Sequence, residues 1–162
     1  MRSLAIDNRF NGSVPILLQD TINWPLVGGW SRISVQNSPY PTVFTYTANG
    51  RTSDNASAVI PVKAGQVYHF SGYFRSPIVL NGLWVVGVLA LKTTTNTTLY
   101  STLLEYAANT APTEWTYYEK IYTIPNNVVN MQYLTSVRKD CTAGIAQISG
   151  FKAVKIGGYD IV

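Results

Sequence analysis

A chain of 162 residues fits one domain with one core, and a charged fraction of 12%, about half that of an ordinary soluble domain, means that its surface is built from uncharged polar groups. Thr, Ser, Asn, Gly and Tyr supply that surface, a mixture suited to strands and turns and poor in the residues that fill solvated helices. The net charge of +4 comes from twelve Lys and Arg scattered from Arg2 to Lys155 with no run longer than Arg138-Lys139, which excludes an electrostatic track for nucleic acid.

From the N-terminus, Met1-Arg-Ser-Leu-Ala-Ile-Asp7 lacks the apolar run of a secretory signal, so no signal peptide is expected in this chain. No segment keeps a helical period, whereas several alternate with period two between Gly, Pro, Asn or Ser, the pattern of half-buried strands. Strands are expected at Val14 to Leu18, Ser31 to Val35, Val43 to Thr47, Ala56 to Val62, Gln66 to Ser76, Leu83 to Thr93, Thr98 to Leu104, Trp115 to Ile124, Val129 to Val137 and Ala146 to Ile156. Within this run, Tyr100 to Ala108 could instead make one helical turn. Lys63-Ala-Gly65 predicts a hairpin between its flanking strands, with Gly65 free to take a positive φ. The longest apolar stretch, Ile78 to Leu91, is interrupted by Asn81, Gly82 and Gly87 and falls short of the roughly 20 residues of a membrane span, so no membrane insertion is expected. Pro125-Asn-Asn127 ends a strand. The lone Cys141 excludes an internal disulfide and, with His69 as the only histidine, reads as a buried thiol. No linker or repeat divides the chain. Residues 1–162 are therefore expected to form a single all-β domain, an antiparallel sandwich or barrel.

Four stretches in order resemble the jelly-roll carbohydrate-binding modules of families four, nine and twenty-two, which are appended to xylanases and cellulases. They are Asn8-Arg-Phe-Asn-Gly12 with Trp24 and Gly29-Trp30; the long run from Ala58 to Ser76; Thr113 to Pro125 around Trp115; and Ile148 to Ile156. The resemblance implies a two-sheet antiparallel β-sandwich of jelly-roll type that binds a poly- or oligosaccharide. Similar modules end bacteriophage tail fibres and tailspikes, which implies a virion or extracellular setting as part of a larger protein. Two departures matter: Asn-Gly-Ser-Val follows Phe10 where the family carries an acidic residue, and Ser149 stands in the last strand where it carries Asp. These positions help to hold the family's structural calcium, an ion that wants carboxylate and carbonyl oxygens. No cofactor is expected, and tightly held calcium is not expected either.

A saccharide site needs flat aromatic surfaces and a few polar groups of fixed direction. In Gln66 to Ser76 the set Tyr68, Phe70, Gly72 and Phe74 is the apolar one, which turns His69, Ser71, Tyr73 and Arg75 to the open face. The resemblance puts Tyr118, Tyr122 and Ile124 inward, leaving Tyr117 and Glu119 for the open face. On Val129 to Val137 the more apolar set is Met131, Tyr133 and Val137, which leaves Gln132 and Arg138 outside. Trp84, after Asn81-Gly82, is placed either to cap a groove or to plug a sheet end, and it joins the candidates. The carbohydrate-binding set is thus His69, Tyr73, Arg75, Trp84, Tyr117, Glu119, Gln132 and Arg138, converging if their strands are neighbours in one sheet. Trp24, Trp30 and Tyr40 offer a loop alternative, although the first two match family positions with a packing role.

Glycoside hydrolysis needs two carboxyl groups across one bond, and of the eight acidic residues only Glu119 falls on the expected open face. Catalysis is not expected. The competing expectations are a structural, trimerising or capping module of a fibre without glycan contact, and an accessory module of a polysaccharide-degrading enzyme. The missing acidic positions carry one testable outcome. A chelator should leave the melting temperature unchanged, and a fall of more than a few degrees in thermal denaturation would show a calcium that these residues do not account for.

Overall fold

The computed structural model describes the backbone of residues 16–20 together with residues 28–158, and among the described residues it contains no α-helix. In chain order the strands are β1 (Ile16–Asp20), β2 (Ser31–Ile33), β3 (Val43–Thr47), β4 (Ser53–Ala56), β5 (Ile60–Pro61), β6 (Val67–Arg75), β7 (Trp84–Thr93), β8 (Thr98–Tyr106), β9 (Thr116–Thr123), β10 (Val128–Val137) and β11 (Ile145–Gly157). A six-stranded sheet runs β2-β3-β11-β6-β9, with β1 also paired to β11; a five-stranded sheet runs β4-β10-β7-β8, with β5 beside β10. All pairings are antiparallel. The two sheets face each other as a β-sandwich of jelly-roll type, as the sequence leads one to expect.

Period two decides which side chains meet between the sheets. Tyr68, Phe70 and Phe74 of β6 are buried against Trp84, Leu89 and Leu91 of β7 and Met131, Tyr133 and Val137 of β10 in one cluster. Each such side chain contributes roughly 1.5–3 kcal/mol by leaving water. Tyr118 on β9 and Ile124 just after it are buried, and Tyr122 packs partly against the same cluster.

The centre of the core depends on missing Cβ atoms. Between Ser149 and Lys152 the register of β11 against β6 slips by one residue, with Gly150 at φ 64°, so β11 carries a β-bulge of the kind that needs left-handed backbone. The bulge turns Phe151 inward, where it stacks on Tyr133 at 5.3 Å and meets Tyr118 edge-on at 5.6 Å. Its ring occupies the space above Gly72, where an added Cβ would lie 2.1 Å from Phe151 Cδ1. Across the core, Gly87 of β7 leaves room for the Tyr118 hydroxyl, which a Cβ would approach to 2.2 Å. The Tyr118 and Tyr133 hydroxyls hydrogen-bond one another, and Tyr133 also donates to the Ser71 carbonyl at 3.3 Å. Burial drives both phenols well above their ordinary range, so both remain protonated partners.

Two local expectations are corrected, and one alternative falls away. The expected strand Ala56 to Val62 is two short strands: at Ser57 the amide still donates to the Tyr133 carbonyl at 2.8 Å, but the Tyr133 amide donates to the Ser57 Oγ at 3.0 Å, so a side chain interrupts the ladder. Lys63-Ala-Gly65 does form a turn, with the Gln66 amide donating to the Lys63 carbonyl and Gly65 at φ 87°. It closes no hairpin, since β5 pairs with β10 in one sheet and β6 with β9 and β11 in the other, so the turn carries the chain between sheets. The helical alternative at Tyr100 to Ala108 is absent: β8 continues to Tyr106, opposite Trp84 of β7. The start of the expected strand at Val14, the Asn8 to Gly12 stretch and Trp24 lie outside the described residues.

Elsewhere the punctuation acts as read. Asn127, after Pro125, takes φ 69°. Cys141 is buried, and burial followed by the Asp140 charge raises its thiol.

The filled hole above Gly72 gives a direct test. Gly72→Ala should cost about 1–3 kcal/mol or more, because the Phe151 ring it strikes is held on both sides. Urea unfolding measures the loss, and wild-type stability in this variant would mean that β11 can reposition its bulge freely.

Candidate functional site

With the core set between the sheets, two faces remain open, and the sequence-predicted residues divide between them. The first is the outer face of the six-stranded sheet. Opposed residues on antiparallel strands share a side, so Ser149, Tyr73 and Tyr117 form one row across β11, β6 and β9, with Lys152, Ser71 and Glu119 in the next. His69 Nε2 hydrogen-bonds Glu119 Oε1 at 2.7 Å, and the Tyr117 hydroxyl donates to the same oxygen at 3.4 Å. The Tyr73 and Tyr117 rings lie 5.1 Å apart, and Tyr40 lies 6.2 Å from Tyr73. Arg75 donates through Nε to Gln147 Oε1 at 2.7 Å and places its guanidinium 4.6 Å from the Trp115 ring. The structure thus brings five of the eight candidates together: His69, Tyr73, Arg75, Tyr117 and Glu119. Partial burial raises the Tyr117 phenol, the Ser71 hydroxyl acting against the shift and Glu119 adding to it.

Gln132 and Arg138 do not join them. β10 lies in the five-stranded sheet, so these two side chains stand on the opposite side of the molecule, although their parity away from Met131, Tyr133 and Val137 is as expected. There they line a groove of about 700 Å³ across the open face of that sheet.

The groove is built in rows. Thr98, Lys92 and Asn130 align at one end; Tyr100, Ala90 and Gln132 follow; Thr102, Val88, Leu134 and Ala56 make an apolar row; Val85, Ser136 and Asp54 come next, before Arg138. Small aliphatic side chains therefore floor the groove while amides, hydroxyls and two cations stand along it. Tyr100 is 71% exposed on the β8 wall, and Val59 rises at the opposite wall. Gln132 is held by its Nε2 donating to the Ser57 carbonyl at 2.9 Å, so the Ser57 break in β4–β5 also fixes a groove residue. Arg138 Nη1 donates to Ser136 Oγ at 3.2 Å. Lys92, Tyr100 and Asn130 were missed by sequence reasoning, although the alternation of Thr98, Tyr100 and Thr102 on β8 carried the signal.

Trp84 belongs to neither face. It is fully buried, meets Phe74 edge-on at 5.8 Å and donates through Nε1 to Thr135 Oγ1 at 2.9 Å. A register shift of β7 after Val85 sets Val85 and Val88, rather than Trp84, on the groove side. Trp30 is likewise a core residue, stacked on Tyr46 at 5.4 Å, whereas Tyr40 sits on the six-stranded face.

No three His, Cys, Asp or Glu side chains gather to hold a metal among the described residues. Ser149, at the position where the similar modules carry Asp, is buried and donates to the Thr42 carbonyl at 3.0 Å, so it offers calcium no carboxylate. No helix among the described residues is long and apolar enough to cross a membrane.

No protein-family model matches the chain, and no curated protein matches it by sequence. Solved structures do match its shape. A second carbohydrate-binding module of family 16 superposes with a TM-score of 0.62 at 15% identity, over 84% of this chain and 93% of that one. The CBM22-1 xylan-binding domain of Paenibacillus barcinonensis Xyn10C superposes at 0.61 and 14% identity, over 88% and 96%. The enzymatically active domain of tailspike protein 4 of bacteriophage CBA120 contains a similar unit, at 0.56 and 12% identity, covering 93% of this chain but 21% of that one. The fold is thus the jelly roll of carbohydrate-binding modules.

The place of Trp84 in the core has a measurable consequence. Trp84→Phe removes the indole donor and leaves Thr135 without it, which should cost about 1–2 kcal/mol in chemical denaturation while leaving ligand affinity unaltered. A loss of affinity without a loss of stability would return Trp84 to the binding surface.

Proposed function

We propose that this domain is a non-catalytic carbohydrate-binding module whose primary site is the groove on the five-stranded sheet. The observation that carries the reading is the groove itself, which lays an exposed tyrosine and directed amides over an apolar floor. A pyranose presents apolar C–H faces edged by hydroxyls, and this lining answers both. Tyr100 stacks on a sugar ring, while Gln132, Asn130, Lys92 and Arg138 bind hydroxyls. Gln132 is already fixed by Ser57, so little side-chain entropy is lost when a sugar binds it. The fold shared with carbohydrate-binding modules supports the same reading.

Charge placement favours binding over hydrolysis. Asp54 and Glu105, the carboxylates nearest to one row of the groove sheet, stand on β4 and β8. Three strand spacings, about 14 Å, separate their backbones, and the two residues between them in that row, Val85 and Ser136, carry no carboxyl group. The tailspike neighbour supports one further reading, that the module serves in a phage tail and its glycan belongs to a bacterial surface.

Affinity electrophoresis through gels containing xylan, mixed-linkage β-glucan, galactomannan or bacterial O-polysaccharide tests the proposal. At least one should retard the domain. Tyr100→Ala and Gln132→Ala should each weaken retention by about fivefold, corresponding to about 1 kcal/mol, with unchanged melting temperature. Retention by none of the four, or full retention in the Tyr100→Ala, Gln132→Ala double variant when it also carries Tyr117→Ala on the opposite face, would overturn the groove as a glycan site.

A further inference from the structure

We infer that the outer face of the six-stranded sheet is a second saccharide surface, so that one domain holds two glycan chains on opposite sides. The inference goes beyond the groove, and its cross-linking consequence rests on the groove being the first site.

Three tyrosines assemble there from three separate parts of the chain. Tyr73 comes from β6, Tyr117 from β9 and Tyr40 from the loop before β3, with successive ring separations of 6.2 and 5.1 Å and mutual tilts near 50°. This is not the inward face of either strand, and hydrophobic packing between the sheets does not require it. Tyr117 is 47% exposed, and Ile121, beyond Glu119 on the same face of β9, is 67% exposed.

The bulge of β11 seats the cluster. Gly150 lies beneath Tyr40, and a Cβ there would come within 2.3 Å of that ring. One residue past Phe151, Lys152 returns to the outer face, bonds the Tyr40 hydroxyl and places its ammonium 4.4 Å from the ring centre. A single extra residue thus supplies both the hollow for one ring and the cation beside it.

Polar groups around the rings are held in advance. Glu119 Oε1 is engaged by His69 and its side chain is otherwise exposed, so the carboxylate keeps acceptor capacity; Arg75 spends Nε on Gln147 and has donors besides. Stacking rings, one carboxylate and two cations of fixed direction match the alternating C–H faces and hydroxyls of a sugar. Rings at the centre with hydrogen-bonding side chains at fixed positions around them offer stacking faces and hydroxyl partners together, the combination that a saccharide uses. The occupant is therefore a neutral hexose or pentose chain lying across β6 and β9.

Amide chemical-shift mapping tests this with xylohexaose, cellohexaose, laminarihexaose and an O-polysaccharide repeat oligosaccharide as probes. The domain carrying Tyr100→Ala and Gln132→Ala should still show shifts on β6, β9 and the Tyr40 loop with at least one probe. Tyr117→Ala, at an exposed position, and the isosteric Glu119→Gln should abolish or reduce those shifts while leaving groove shifts in place. The wild-type domain should make a solution of the matching polysaccharide turbid, and either single-face variant should not. Shifts confined to the groove would overturn the second surface and leave the glycan reading standing. No shift on either face would overturn both.

Discussion

The structure turns on one extra residue in β11. Without the bulge at Gly150, Phe151 would keep strict alternation and point to solvent, and the core would lose the ring that Tyr118, Tyr133 and the hollow over Gly72 are shaped around. The same slip sends Lys152 outward to Tyr40, so core packing and surface chemistry are set together. Glycines at 72, 87 and 150 are thus small for three different reasons: to admit a ring, to admit a hydroxyl and to bend the backbone.

Much of this was legible in the sequence where the signal is local. Alternation in β6 separated Tyr68, Phe70 and Phe74 from His69, Tyr73 and Arg75, and the structure keeps that division. Gly65 and Asn127 took the left-handed geometry that their residue types permit. What failed was non-local. The turn at Lys63-Ala-Gly65 says that the chain reverses but not which sheet receives it, and the period of β10 says which side chains share a face but not which strand lies beside them. Gln132 and Arg138 were therefore assigned the right parity and the wrong partners. Trp84 was undecided for a related reason: Gly87 marks an irregular strand, and an irregular strand shifts parity part-way along its length.

The two open faces differ in how they are made. The groove is a floor of small side chains with one tall aromatic wall, and its hydrogen-bonding groups stand in rows fixed by strand register. The six-stranded face has rings at its centre and charges pinned to neighbours at 2.7 Å on either side. In solvent such exposed pairs add at most about 1 kcal/mol to stability. Their larger effect is to limit side-chain motion at the surface.

The pairing of β1 with the end of β11 has a mechanical side. Ile16 sits opposite Lys155 and Asp20 opposite Lys152, so the described chain enters the sheet beside the point where it leaves. Tension applied through those two points loads the β1–β11 ladder from its end and peels it rung by rung, whereas sliding would have to break all rungs at once. Peeling that starts at Ile16 and Lys155 runs toward Lys152, so it reaches the six-stranded face before the groove of the other sheet.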